Sequence, residues 1–144
     1  MSCNSKNAYQ KSAQMAYNSA EQAYPADGAT VAILGSLATD TGVSIDTNAG
    51  GFQVCSGGLY RISYDVTSTP SAAGAQILQL YNGASPLPCA ITTDTVAADG
   101  IITQHVETTL RLATCCAIQP SISARIRGVA GTINHVCASA VKLA

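Results

Sequence analysis

The sequence predicts an all-β protein folded as a two-layer antiparallel jelly-roll sandwich, and three observations predict this class. From Thr30 onward, β-branched residues and glycine dominate the chain. Short strand-like stretches alternate there with turns rich in Gly, Pro, Asn and Asp. About eight to ten such stretches occur without a convincing helix among them, and this arrangement favours a jelly roll.

The first 29 residues differ in composition from the rest. They contain no valine, isoleucine or leucine, and tyrosine and alanine recur in them at the spacing of a heptad seam. This spacing predicts a helix of about 20 residues that ends at Pro25. The seam consists of Tyr9, Ala13, Ala16, Ala20 and Ala23. We therefore divide the chain into an amino-terminal arm, residues 1–29, and a head domain, residues 30–144.

An alanine seam buries little area, so we expect the arm, helical or extended, to be ordered only by a partner. Its tyrosines at positions 9, 17 and 24 form a stripe of the kind that packs on another protein. The residues predicted to anchor the arm are Tyr9, Ala13, Ala16, Tyr17, Ala20 and Tyr24.

The head begins with a predicted strand at residues 30–38 and a short one at residues 52–55. Residues 59–69 then alternate with a period of two, which is typical of a strand with one buried face. Residues 75–81 alternate in the same way, and residues 101–114 form either two strands or one long bent strand. The core predicted from these stretches consists of Tyr60, Ile62, Tyr64, Val66, Leu78, Leu80, Leu110 and Leu112.

Asn82-Gly83 predicts a β-hairpin with a type I′ turn, because both central residues of that turn need a positive φ. Pro86 and Pro88 follow it, so the returning strand must lie at an edge or carry a bulge. Two further strands are predicted, within residues 115–127 and at the carboxy terminus.

Composition limits the possible partners. Charged residues make up only 10% of the chain and apolar residues 47%, whereas an ordinary soluble domain has about 25% charged residues. A surface this poor in charge favours burial against other copies of the chain. The net charge of −1 offers no basic footprint for nucleic acid, and no apolar run reaches the length of a membrane span. The amino terminus has no apolar signal segment, so we expect synthesis and folding in a cytoplasm.

The residues of catalytic and metal chemistry are sparse, so we predict no enzyme and no cofactor. His105 lies two residues from Glu107 on one strand face, but a metal site would need further ligands. Aspartates in predicted turns lack calcium-loop spacing. The six cysteines are predicted to be mainly reduced, buried residues, with disulfides formed after release as the alternative.

Four patterns together resemble the jelly roll of the tumour-necrosis-factor-like family, which the globular heads of the first complement component share. They are Phe52-x-Val54, the alternating stretch from Gly58 to Tyr64, Leu78-x-Leu80-x-Asn82-Gly83, and the terminal Ala140-Val141-Lys142-Leu143. The resemblance covers residues 30–144. It implies that the carboxy-terminal strand lies centrally in one sheet and that three copies pack around a threefold axis. By this resemblance, the trimer interface is predicted to contain Ile77, Gln79, Tyr81, Thr109 and Arg111.

Similar small heads occur on bacteriophage particles. The resemblance, together with the charge-poor surface and the arm, implies a virion-surface trimer made in the bacterial host, either a capsid decoration or head-fibre protein or a tail appendage. Residues 1–29 are expected to bind capsid or tail proteins. Two alternatives remain at this point: a head that binds host glycan or receptor through loops 40–50 and 93–100, and a bacterial spore-surface (exosporium) protein.

Overall fold

The fold is described from a computed structural model, which describes residues 13–39, 45–48, 50–54, 56–113 and 120–144. These residues form twelve strands and no helix. The strands are β1 (Ala13–Asn18), β2 (Gln22–Tyr24), β3 (Ala29–Thr30), β4 (Leu34–Thr39), β5 (Ile45–Asn48), β6 (Gly51–Val54), β7 (Gly58–Pro70), β8 (Gly74–Asn82), β9 (Ser85–Val96), β10 (Ile102–Leu112), β11 (Ser121–Arg127) and β12 (Gly131–Lys142). No helix in this part of the chain is long and apolar enough to cross a membrane.

The strands form two antiparallel sheets. The first sheet has the order β10-β7-β12-β1-β4, with β2 pairing beside β1 on β12. The second sheet has the order β5-β6-β11-β8-β9, with β3 on β11. The predicted all-β sandwich is confirmed, and β12 lies centrally in its sheet as the family resemblance implies.

The core fills the space between the two sheets. Alternate residues of β7 point into it, and Tyr60, Ile62, Tyr64 and Val66 are fully buried. Leu78 and Leu80 of β8 are also fully buried, Leu112 is 3% exposed, and Leu110 packs half-buried against the same cluster. This burial supplies the main apolar driving force for joining the sheets.

The prediction of a helix over the arm is wrong for its described part. Residues 13–18 form β1, which pairs with β12 along its whole length, from Ala13 opposite Val141 to Asn18 opposite Val136. Asn18 Nδ2 donates to Ala32 O at 3.1 Å, which ties the end of β1 to the chain before β4. Pairing to the central strand satisfies the backbone that a helix would have satisfied internally. The described part of the predicted arm therefore belongs to the sandwich.

The predicted hairpin is present, but its turn is shifted by one residue. Asn82 pairs with Ser85, so the two turn residues are Gly83 and Ala84. Only Gly83 has a positive φ, of 60°, whereas a type I′ turn needs two. Glycine at the first turn position with an ordinary second residue is the pattern of a type II′ turn.

Strand β9 confirms the prediction drawn from its prolines. It lies at an edge of the second sheet, and its pairing with β8 shifts register between Gln79 and Tyr81. Residues 102–112 form the single strand β10, so the alternative of two strands is excluded.

The two ends of the sandwich carry different segments. β1 begins where Ala13 lies opposite Val141, at the end where β12 finishes and β7 starts. We call this the amino-terminal end. The turn between β9 and β10 lies at the other end, where Asp99 N donates to Pro70 O at 2.7 Å. We call that the distal end.

A buried polar network connects the two sheets near the distal end. Gln76 on β8 is fully buried; its Nε2 donates to Ser68 Oγ and to Gln104 Oε1, both at 2.9 Å, and its Oε1 accepts from the Tyr24 hydroxyl at 2.5 Å. Gln104 Nε2 donates in turn to Asp94 Oδ2 at 3.0 Å. Tyrosine is a neutral donor at physiological pH, and burial raises the pKa of Tyr24 further above its ordinary value.

Tyr64 is the contrasting buried polar side chain. Its ring meets the ring of Phe52 edge-on, with 6.0 Å between centroids. Its hydroxyl is buried without a hydrogen-bond partner among the described residues, and burial raises its pKa. The value of Tyr64 to the fold therefore lies in its ring.

Candidate functional site

The first sheet turns one face away from the core, and we call it the first outer face. It consists of the odd-numbered residues of β1, β7 and β10 and of residues 135, 137, 139 and 141 of β12. The strand registers place Glu107, Ser63, Ser139 and Met15 in one row across it. The face is therefore a continuous four-strand surface.

Charged side chains on this face lie on β7 and β10, and all of them except Arg111 pair with one another. Arg61 Nε donates to Glu107 Oε1 at 3.0 Å. His105 lies between two carboxylates, with Nδ1 at 2.8 Å from Asp65 Oδ1 and Nε2 at 3.3 Å from Glu107 Oε2. Two arginines, Arg61 and Arg111, balance the two acids, so the face has no net charge when its histidines are neutral.

The rest of the face is small and neutral. Ser63 and Ser139 share a hydrogen bond of 2.8 Å between their hydroxyls. His135 Nε2 lies 3.1 Å from Cys137 Sγ. Met15 is 45% exposed although its strand is paired on both sides. A surface of this composition can be covered by a second protein at little desolvation cost.

The protonation of His105, on the first outer face, makes the stability of the folded chain depend on pH. Its hydrogen bond to Asp65 raises its pKa above the ordinary value of 6.5, and the negative charges of Asp65 and Glu107 act in the same direction against the effect of burial. Protonated His105 therefore stabilises the folded chain at pH values below the ordinary pKa. The stabilisation is lost as the pH rises through the raised pKa.

We expect His105→Gln to reveal this effect in thermal unfolding measured from pH 5 to pH 9. The wild type should exceed the variant in stability at the acidic end, and the difference should vanish at the alkaline end. Because the imidazole is 52% exposed, solvent screening limits the difference to less than about 0.5 kcal/mol. A difference that grows with pH would contradict the assignment.

The structure does not bring the five predicted interface residues together. Thr109 and Arg111 are exposed at the β10 margin of the first outer face. Ile77, Gln79 and Tyr81 point outward from β8 in the second sheet, on the opposite side of the sandwich. One flat contact cannot include both groups, because the whole core separates them.

The burial of the predicted arm residues and of the cysteines also differs from the prediction. Ala16 and Tyr24 are buried, Tyr17 is half-buried on β1, Ala20 is exposed, and Tyr9 lies outside the described residues. Cys89 is an exposed free thiol and Cys137 a half-buried one, so neither is the buried core cysteine that was predicted. The other four cysteines lie outside the described residues.

Sequence reasoning found only part of this surface. It placed His105 beside Glu107, which the structure confirms, but it missed Asp65 and Arg61 as their partners. The alternation of residues 59–69 already indicates that their odd-numbered side chains point outward. Only the register of β7 against β10 shows which residues of β10 lie opposite them. Within the described part of the chain, no group of three or more His, Cys, Asp or Glu side chains is arranged to hold a metal ion.

The two antiparallel sheets and the central carboxy-terminal strand have the arrangement of a tumour-necrosis-factor-like jelly roll. No protein-family model matches the sequence, and no curated protein sequence matches it. Among solved structures, the chain is similar to PRD1 vertex protein P5, with a TM-score of 0.68 and 15% identity over 92% of this chain and 73% of that one. It is also similar to murine APRIL at pH 5.0, with a TM-score of 0.69 and 12% identity over 93% of this chain and 100% of that one. At these identities the likenesses show the fold.

Proposed function

We propose that the chain is a non-enzymatic structural protein of a bacteriophage virion surface, which assembles as a homotrimer and attaches through residues that precede β1. A capsid decoration or head-fibre protein and a tail appendage are both compatible with this role. The likeness to the PRD1 vertex protein supports a virion role for this fold. The observation that most supports the trimer is the first outer face, which is wide, has no net charge and is rich in small side chains.

The trimer contact is assigned to the first outer face. Its centre, formed by Ser63, Ser139 and Met15, has no charged group of its own, so its burial costs little desolvation free energy. Thr109 and Arg111 lie at its margin and keep their proposed interface role. The second sheet then faces outward from the trimer, so the side of β8 to which Ile77, Gln79 and Tyr81 belong faces solvent or another partner.

Because residues 13–18 and 22–24 belong to the sandwich, residues 1–12 are the part of the predicted arm that we propose attaches to the particle. They precede Ala13 at the amino-terminal end, and the 97–101 turn lies at the distal end. Three copies side by side would present three such segments to the particle, and the second and third attachments would gain from effective concentration.

We expect the native mass to test the trimer. Three full chains of 14.6 kDa give about 44 kDa by light scattering at micromolar concentration, and a chain that starts at Ala13 should likewise show three times its own, smaller mass. Ser139→Arg should reduce the mass to that of one chain, because it buries an unpaired charge at the centre of the contact. Thr93→Arg is the matched control, since Thr93 is exposed on the opposite face.

A monomeric wild type, or equal dissociation of both arginine variants, would contradict the proposal. Circular dichroism of each variant establishes that the strands remain folded. The chain that starts at Ala13 also tests attachment: it should still form trimers but no longer remain with particles during purification. Retention of that chain on particles would contradict the anchoring role of residues 1–12.

A host-binding head is the second candidate function, and the position of the 97–101 turn favours it. This turn lies at the end of the sandwich opposite the start of β1, and Ile101 at its end is 74% exposed. The other predicted binding loop, residues 40–50, begins after Thr39, which pairs with Gln14 near the amino-terminal end. The segment around residues 93–100 leads into the distal end, where a host surface would be met.

A further inference from the structure

We infer that the outer face of the second sheet carries a binding site for an acidic glycan, centred on Arg125, Arg127 and Tyr81. This second outer face consists of the odd-numbered residues of β8 and β11 and of residues 91, 93 and 95 of β9. The inference goes beyond the structural role proposed above and does not depend on it. Sequence analysis assigned no function to either arginine.

Two guanidinium groups converge on one tyrosine at this site. The guanidinium of Arg125 lies over the Tyr81 ring, 5.5 Å from the ring centroid. Arg127 Nη1 is 3.4 Å from the Tyr81 hydroxyl, and Arg127 Nη2 donates to Gln79 Oε1 at 2.9 Å. Tyr81 therefore holds both cations near its side chain, although their like charges repel each other.

Gln79 fixes the position of Arg127. Only 6% of Gln79 is exposed, and its Nε2 donates to Leu87 O at 3.1 Å. This second hydrogen bond orients the amide so that its oxygen faces the guanidinium. Arg127 is thus held in place before any ligand arrives, which lowers the entropy cost of binding.

Neither arginine forms an ion pair with an acidic residue of the described chain, whose ion pairs all lie on the first outer face. Asp27 is exposed in the neighbouring turn, and no ion pair joins it to either arginine. Paired guanidinium groups bind carboxylate, sulfate and phosphate oxygens through charge-assisted hydrogen bonds. The missing counter-charge is therefore assigned to an anionic ligand.

The surroundings favour a sugar chain as the carrier of that anion. The site is on the outer face of a sheet, where an extended ligand can lie across the strands. Hydroxyl side chains flank it, with Ser123 opposite Tyr81 and Thr30 opposite Arg125. Ile91, opposite Gln79 and 43% exposed, offers an apolar surface to the carbon–hydrogen faces of sugar rings.

Titration calorimetry on the full chain tests the site, with dextran sulfate and oligogalacturonate as acidic probes and dextran as the neutral one. We expect both acidic probes to bind and dextran not to bind. Arg125→Gln and Arg127→Gln should each weaken binding about tenfold, and the double variant more than either. Glu21→Gln, which changes the net charge by one unit at an exposed position beside the first sheet, should change the affinity less than twofold.

Several outcomes would overturn the inference: equal affinity for dextran, a double variant that binds within twofold of the wild type, or a change with Glu21→Gln as large as with the arginine variants. Tighter binding of single-stranded DNA than of the acidic glycans would reassign the site to nucleic acid. Saturation by inorganic sulfate with the affinity of dextran sulfate would reduce it to a small-anion site. Arg125 is exposed, so unchanged thermal unfolding of Arg125→Gln separates loss of binding from loss of fold.

Discussion

Replacing Gln76 with alanine is expected to lower the free energy of unfolding by about 3–4 kcal/mol. The side chain is fully buried and makes hydrogen bonds with Tyr24, Ser68 and Gln104, which belong to three strands of the opposite sheet. Alanine leaves a cavity and takes the buried amide partner away from all three. Chemical denaturation at one protein concentration measures the change.

Gln53→Ala is the matched control for this variant. Gln53 is a half-buried glutamine on β6 outside the buried network, so its loss should cost less than about 1 kcal/mol. A double-mutant cycle with Gln104→Ala should show strong coupling, because Gln76 and Gln104 bond to each other. Equal costs for Gln76→Ala and Gln53→Ala would show that the network does not hold the sheets together.

Gly128→Ala is expected to destabilise the fold by at least about 3 kcal/mol. Gly128 has a φ of +105° in the turn between β11 and β12, and a Cβ there would clash with Ala75 O. Its own amide donates to Ala26 O at 2.9 Å, so the turn cannot move away without breaking that bond. Both the positive φ and the close carbonyl oppose any side chain.

Gly100→Ala is the control in this case. Gly100 lies in the turn between β9 and β10 without a positive φ, and a Cβ there would meet no atom closer than 3.5 Å. Its substitution should leave the thermal midpoint within about 2 °C of the wild type. If Gly128→Ala unfolds at the same temperature as Gly100→Ala, the close approach to Ala75 is absent.

Much of the core could be predicted from the sequence because one face of each long strand is apolar. Residues 59–69 are the clearest case, since Tyr60 to Val66 alternate with polar residues and every inward one is buried. The same reasoning did not predict β1, because its inward residues do not form an apolar pattern of period two. These residues are Gln14, Ala16 and Asn18. Local spacing then suggested a helix that long-range pairing overrides.

The candidate surfaces were harder to predict than the core. Sequence alternation indicates that Arg61, Asp65, His105 and Glu107 point outward, but it does not indicate that they meet. The register of β7 against β10 decides this, because it places Asp65 opposite His105. The assignment of Tyr81 and Arg111 to opposite faces likewise depends on which sheet each strand joins.

By itself, the sequence determined the strand class, the inward residues of the long strands and the edge position of the proline-bearing strand. These features follow from local alternation and from the missing amide of proline, which act within a few residues. The tertiary structure alone decided that residues 13–24 join the sandwich and that Gln76 connects its sheets. Both depend on hydrogen bonds between distant parts of the chain, as between Ala13 and Val141, and no local pattern specifies such partners.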